Sequence, residues 1–294
     1  MDQYLSVFIT VAEKQNFSRA AEVHLMTQPA VSQYIRTLEE RMGTKLLERS
    51  NKYVYLSKAG EIVYANAKEI MMLYDNMREQ VNDLSQSPSG ELKIGASYTF
   101  GEYVLPHIIS QTLAHYPDIK PTVTIDNTEE IMRLVETRQL DIGIIEGKVT
   151  HNAIKKTIFA KDSMVIVASP HHPLAQLSHV STTQLEQQNW IVREYGSGTR
   201  EAMDRAFKLL AIAPNKLLHY SSTQPIKTSV EAGIGLSILS TWAIKKELER
   251  NELTIINTKK LPLWRSFSYL EHSSIRTKAL QAFIDIMQQH VDRI

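Results

Sequence analysis

Apolar residues near the start of the chain recur every three or four positions. Leu5, Phe8, Ile9 and Ala12 describe a first amphipathic helix. Ala20, Ala21 and Val23 begin a second, short one, with Ser18 where an N-cap belongs and small alanines that let a neighbouring helix approach closely. Thr27 then caps a third helix, and Pro29 suits its first turn, where a missing amide proton costs nothing. Val31, Ile35, Leu38 and Met42 follow at spacings of four, three and four and are expected to face inward. Gly43 should stop this helix. Beyond it Tyr53 and Tyr55 alternate with Val54 and Leu56, the period of a two-stranded hairpin or wing.

From Ser57 to Leu84 the spacing lengthens into heptads. Val63, Ala67, Ile70, Tyr74, Met77, Val81 and Leu84 alternate steps of four and three, the seam of a helix that pairs with a partner helix. Gly60 and Asn66 leave the start of the seam imperfect, so a helix packed on its own chain is the competing reading. SQSPSG at residues 85–90 has the composition of a hinge. After it, apolar strands (LKIGAS, TVTID, DIGIIEG, MVIVAS, WIVRE, LSILS) alternate with helical stretches near residues 101–115, 129–138, 199–211 and 224–232. Such alternation predicts parallel sheets covered by helices on both faces. About 200 residues suffice for two lobes, with crossings near Ala160 to Asp162 and Leu261 to Arg265, a last strand SFSYLEH and a terminal helix Ile275 to Val291. The expected divisions are 1–58, a long helix over 59–84, a hinge over 85–91, a first lobe of 92–160 with 266–294, and a second lobe of 161–265.

The outward face of the third helix is almost free of acid. Residues 17–50 therefore read as a helix-turn-helix presenting hydroxyl, amide and guanidinium groups to the major groove of double-stranded DNA. Candidate contacts are Ser18 and Arg19 in the second helix, Thr27, Gln28, Pro29, Ala30, Ser32, Gln33 and Arg36 on the third, and Arg49, Ser50 and Lys52 on the wing. Charge adds little. Residues 1–58 hold eight Lys or Arg and six Asp or Glu, and the whole chain has a formal net charge of +1, so affinity for DNA must come from local placement and from two copies of the reading helix.

In doubly wound sheets ligands sit beyond the carboxyl ends of strands, near helix starts whose free amides attract anions. Ser97, Tyr98 and Thr99 follow one strand; Asn127 and Thr128 follow another; Ser197, Thr199 and Arg200 lie in GSGTR after a third, and Gln224 begins a helix of the second lobe. Taken singly, Ser or Thr at a helix start is usually a plain cap. Their convergence from both lobes points to a small anionic or polar metabolite.

Absences narrow the class. There is no cysteine, and neither a signal peptide nor an apolar run long enough to span a bilayer, which leads to the expectation of a cytoplasmic protein without membrane association. His171 and His172 are adjacent in a loop without a carboxylate cluster, a poor metal pair, and Gly233 and Gly235 precede their strand instead of following it, unlike a nucleotide loop. No catalytic triad, paired-carboxylate motif or phosphate-binding lysine loop stands out, so neither catalytic residues, nor a metal, nor a cofactor other than a small-molecule co-inducer is assigned.

The order FxxVAExxxFSRAAExxxxTQPAVSxxIRxLEExxGxxLLER, followed by LSxAG at Leu56 to Gly60, resembles the amino-terminal domain of LysR-type transcriptional regulators, and length and layout extend the resemblance over essentially the whole chain. It implies a multi-domain α+β protein: a winged helix-turn-helix, a long dimerising linker helix and an α/β effector domain of two lobes like a periplasmic binding protein. Positions matching Gln28, Pro29 and Ser32 would then lie at the DNA face and those matching Arg49 to Lys52 in the wing. The implied partners are a pseudopalindromic DNA site, a further copy or three further copies of the chain, and RNA polymerase. Family members often carry Arg where this chain has Gln33, which leaves the recognised sequence open. GASYTFGEYVLP and REYGSGTR look similar to a branch linked to sulfur or inorganic nitrogen assimilation. The rival class is a cytoplasmic small-molecule-binding protein or enzyme with an accessory helical interaction domain.

Overall fold

A computed structural model describes residues 2–49, 54–83, 87–147, 154–272 and 276–291. The chain divides into two compact units, Met1–Ser85 and Gln86–Ile294.

The first unit holds α1 (Asp2–Lys14), α2 (Phe17–Val23), α3 (Gln28–Met42), the antiparallel pair β1 (Leu47–Arg49) and β2 (Val54–Leu56), and α4 (Lys58–Asp83). Asn16, not Ser18, caps α2: its side chain accepts the amides of Ser18 and Arg19 at 2.8 and 3.0 Å, which places Ser18 inside the first turn. Thr27 caps α3, and Gly43 ends it in the left-handed region at φ +69°. Leu5, Phe8, Val11, Ala20, Ala21, Val31, Ile35 and Leu38 form one core with Leu46 and Leu47. Met42, expected to face inward, is 43% exposed; it sits in the last turn of α3, and the two leucines after the Gly43 turn join the core in its stead. Each fully buried side chain of this size contributes about 1.5–3 kcal/mol.

The heptad seam of α4 is split. Ala67 is buried in this core, with Val63, Tyr64 and Met71 packed against it, whereas Ile70, Tyr74, Met77 and Val81 are 40–63% exposed. Tyr53 and Leu84 lie outside the described residues.

The second unit runs β3 (Gly90–Ser97), α5 (Tyr98–Tyr103), α6 (Leu105–His115), β4 (Ile119–Asp126), α7 (Thr128–Glu136), β5 (Ile142–Glu146) and β6 (Ile154–Ala168). It continues through α8 (Thr182–Glu186), β7 (Trp190–Arg193), α9 (Gly198–Leu210), β8 (Leu217–Tyr220), α10 (Thr223–Glu231) and β9 (Ser237–Ser240). α11 (Lys245–Glu249), β10 (Thr254–Ile256), β11 (Leu263–His272) and α12 (Lys278–Val291) complete it. Gly90 and Glu91, expected in the hinge, are already strand.

The sheets are mixed, not purely parallel. β3 pairs parallel with β4 and β5, and β7 with β8, but β11 is antiparallel to β5 and β6, and β6 to β9 and β10. The reason lies in the two crossings: the expected breakpoints fall inside β6 and across the start of β11, two strands that run in opposite directions and pair from Leu263 with Met164 to His272 with Ile154, with one register shift between Phe267 and Ser268. Strands buried on both faces show period two. On β6, Met164, Ile166 and Ala168 enter one core with Trp190 and Val192, while Val165 and Val167 enter another with Ile191 and Ile226. The first lobe is built likewise, with Ile94, Ile142, Ile144 and Phe283 on one side of its sheet and Ile131, Val135 and Ile145 on the other. No helix among the described residues is long and apolar enough to cross a membrane.

Candidate functional site

Two sites follow from this architecture. On α3, burial of Val31, Ile35 and Leu38 turns the intervening residues outward: Thr27, Gln28, Pro29, Gln33 and Arg36 are exposed and Ala30 and Ser32 partly so. Gln28 Nε2 donates to Ser32 Oγ at 3.0 Å, one helical turn on, and pre-orders two of these groups. Ser18 and Arg19 are exposed at the start of α2. Arg49 ends β1; Ser50, Lys52 and the side chain of Arg49 lie outside the described residues. The sequence reading missed Glu39, which fixes the chain entering the wing. Its carboxylate, 6% exposed, accepts the amides of Leu46 and Leu47 at 2.9 and 3.3 Å and the ammonium of Lys45 at 3.1 Å. Burial opposes its ionisation, but these donors win and hold the carboxyl below the usual range.

The second site lies where β3 and β5 end between the lobes. Ser97, Thr99 and Thr199 converge there, each at most 2% exposed, with Thr99 and Thr199 hydroxyls 3.4 Å apart across the crevice. Three charged residues that sequence patterns did not flag complete it. Arg265 on β11 donates from Nη1 to Thr199 at 3.2 Å, from Nη2 to Thr99 at 3.1 Å and from Nε to Asp162 on β6 at 2.6 Å. Asp162 also accepts from Ser240 Oγ at 2.7 Å, and Glu146 accepts from Ser97 Oγ and faces Arg265 Nη1 at 3.4 Å. The available signal for Glu146 was an acid closing the apolar run of β5. Arg265 and Asp162 gave none, because their pairing spans 103 residues.

The other candidates are nearby but otherwise engaged. Ser197 caps α9 through the Thr199 amide, and Asn127 caps α7 through the Glu130 amide. Thr128 donates to the Glu146 carbonyl at 3.2 Å. The Tyr98 ring lies under the Arg193 guanidinium at 4.5 Å. Arg200 holds Asp204 at 2.9 Å and the Arg193 carbonyl at 3.0 Å while stacking on Tyr195. Gln224 reaches across the lobes and accepts from Tyr103 Oη at 3.4 Å. Beside it Lys227 sits over the Tyr103 ring at 4.6 Å and pairs with Glu247 at 2.5 Å. Burial pushes the Tyr103 phenol far up and raises the Glu102 carboxyl. His172 accepts the Leu174 amide at 3.2 Å as a turn cap.

Comparison with known proteins covers nearly the full chain. Residues 3–61 match the family described as bacterial regulatory helix-turn-helix protein, lysR family, and residues 85–292 match the LysR substrate binding domain. The chain is 38% identical over 288 residues to the HTH-type transcriptional regulator CysL of Bacillus subtilis (strain 168), covering 97% of this chain and 96% of that protein. Among solved structures, a full-length OxyR variant from Pseudomonas aeruginosa superposes with a TM-score of 0.75 at 22% identity, covering 99% of this chain and 94% of the other. Full-length CbnR complexed with its target DNA gives 0.68 at 18% identity, covering 99% of each chain.

Proposed function

The chain belongs to the LysR family of DNA-binding transcriptional regulators, and on that premise we propose that it reads a pseudopalindromic DNA site through α3 and adjusts its grip when a small polar metabolite enters the crevice between its two lobes. The observation that carries the DNA half is the outward face of a capped helix, with Gln28, Gln33 and Arg36 exposed and Ser32 partly so, opposite the buried Val31, Ile35 and Leu38. Amides and guanidinium read base edges, and hydroxyls hold phosphates. Two copies related by a twofold axis place these faces on half-sites about one helical turn, or a multiple of it, apart. RNA polymerase is the expected protein partner, and the cytoplasm the expected address.

The effector half rests on the meeting of Ser97, Thr99 and Thr199 from both lobes around Arg265. A ligand that closes the crevice changes the angle between lobes and hence the packing between effector domains of neighbouring copies, a population shift that moves the DNA-reading domains.

Selection of full-length protein on random duplex DNA tests the first half: enriched sequences should be inverted repeats, and retention should fall steeply with added salt. Enrichment of no repeat would defeat it. A thermal-shift screen of small sulfur, nitrogen and carboxylate metabolites tests the second. Any stabilising compound should lose its effect in S97A and T199A proteins, and an unchanged shift would reject the crevice as the effector site.

A further inference from the structure

Crevices of this kind usually receive a ligand's oxyanion on hydroxyls, a helix start and a guanidinium. Here two hydroxyls and the guanidinium converge on a carboxylate that the chain itself supplies. Glu146, 2% exposed, is held at one oxygen by Ser97 Oγ and at the other by Thr99 Oγ1 and Arg265 Nη1, both at 3.4 Å. Ser97 starts α5 without making a capping bond, its hydroxyl being directed to Glu146. The start of α9 closes over the same residue. A Cβ on Gly198 would lie 2.5 Å from the Glu146 carbonyl oxygen and 2.6 Å from its Cγ, so only glycine permits this approach. Of the GSGTR segment, whose Ser197 and Thr199 read in sequence as ligand contacts, Gly198 thus packs directly on Glu146, while the Ser197 hydroxyl caps α9.

Charge points the same way. Arg265 also serves Asp162, which is wholly buried, so one guanidinium faces two carboxylates. A free anion would add a third negative group to a volume of low dielectric in which, among the described residues, Arg265 is the one cation in contact with Glu146 and Asp162. Without Glu146, the Arg265 and Asp162 pair is neutral, and three hydroxyls face a space the size of a carboxylate.

We infer that Glu146 is the specificity-determining residue of the effector crevice: its carboxylate fills the oxyanion seat as a built-in ligand, shuts out free inorganic oxyanions, and requires an effector reaching the floor to present a hydrogen-bond donor such as a hydroxyl, amide or ammonium group. This rests on the crevice being the effector site, and the two can fail separately.

The test is sulfate binding by full-length protein, read as thermal shift and calorimetry against chloride at equal ionic strength. Wild type should show no saturable response, and neither should E146Q, which keeps the seat filled. E146A should gain one, with a Tm rise of about 3–6 °C at ten times its Kd, lost again on adding T199A. Saturable sulfate binding by wild type that T199A removes would overturn the inference, as would an E146A protein no more responsive than wild type. Should E146A not fold, E146S provides the vacated seat, and the wild-type arm decides by itself. Failure of the crevice reading looks different: a metabolite would stabilise the protein regardless of S97A, T199A and E146A, whatever sulfate does.

Discussion

At the scale of single residues, the DNA-reading unit depends on two positions that carry no recognition. Glu39 ties the chain entering the wing to α3 through two backbone amides and Lys45. Because its folded carboxyl lies below the ordinary value, the stabilisation it gives is fully present above the unfolded pKa of about 4.3 and is lost as pH falls through the folded value. E39Q should therefore cost about 2 kcal/mol at pH 7, and the gap from wild type should narrow below about pH 4, as measured by urea unfolding. A gap independent of pH would mean that the charge is immaterial. Gly60 is the second position: a Cβ there would lie 2.0 Å from the Leu46 carbonyl oxygen, an acceptor already used by the Ser57 amide at 2.9 Å. G60A should push α4 off the wing and lower both stability and DNA retention, whereas G43A, with open space around it, should cost only the strain of positive φ.

At the scale of elements, the seam of α4 changes duty along its length. Ala67 belongs to the unit's own core, while Ile70, Tyr74, Met77 and Val81 leave an apolar stripe with no cover from that core. Such a stripe on a long helix suits a second copy of the same helix. Asp at Ile70 and Met77 together should leave the fold intact by circular dichroism and weaken self-association at least a hundredfold by sedimentation. A67D should instead unfold the unit. Both outcomes failing to separate would reject the division. Periodicity made the helices legible because a buried face recurs along one local stretch, as with Val31, Ile35 and Leu38. It could not reveal which face of α4 was taken by the chain itself, since both uses demand the same apolar residues. Nor could it show that β6 and β11 cross as continuous strands, because their pairing joins residues about a hundred positions apart. The crevice was legible to the same extent. The hydroxyls of Ser97 and Thr199 announce themselves at helix starts, but the Arg265, Asp162 and Glu146 charges that define their chemistry come together only in three dimensions.

At the scale of the molecule, a formal net charge of +1 offers no long-range pull toward DNA. Affinity must then come from simultaneous engagement of two reading helices, where the second contact is made at high effective concentration. This makes the geometry between half-sites decisive. Inserting about five base pairs between the arms of a selected site turns one half-site to the opposite face of the duplex and should reduce affinity to that of a single arm, while inserting about ten restores the face and should recover part of it. R36A should weaken both arms equally and, if Arg36 meets a phosphate, reduce the dependence of log K on log salt by about two units for a dimer, one per copy. If Arg36 reads a base instead, the loss would be confined to sites carrying that base, and the salt dependence would stay closer to that of wild type. Equal affinity for the five- and ten-pair insertions would mean that the chain binds DNA one copy at a time, which the near-neutral charge of a single copy argues against.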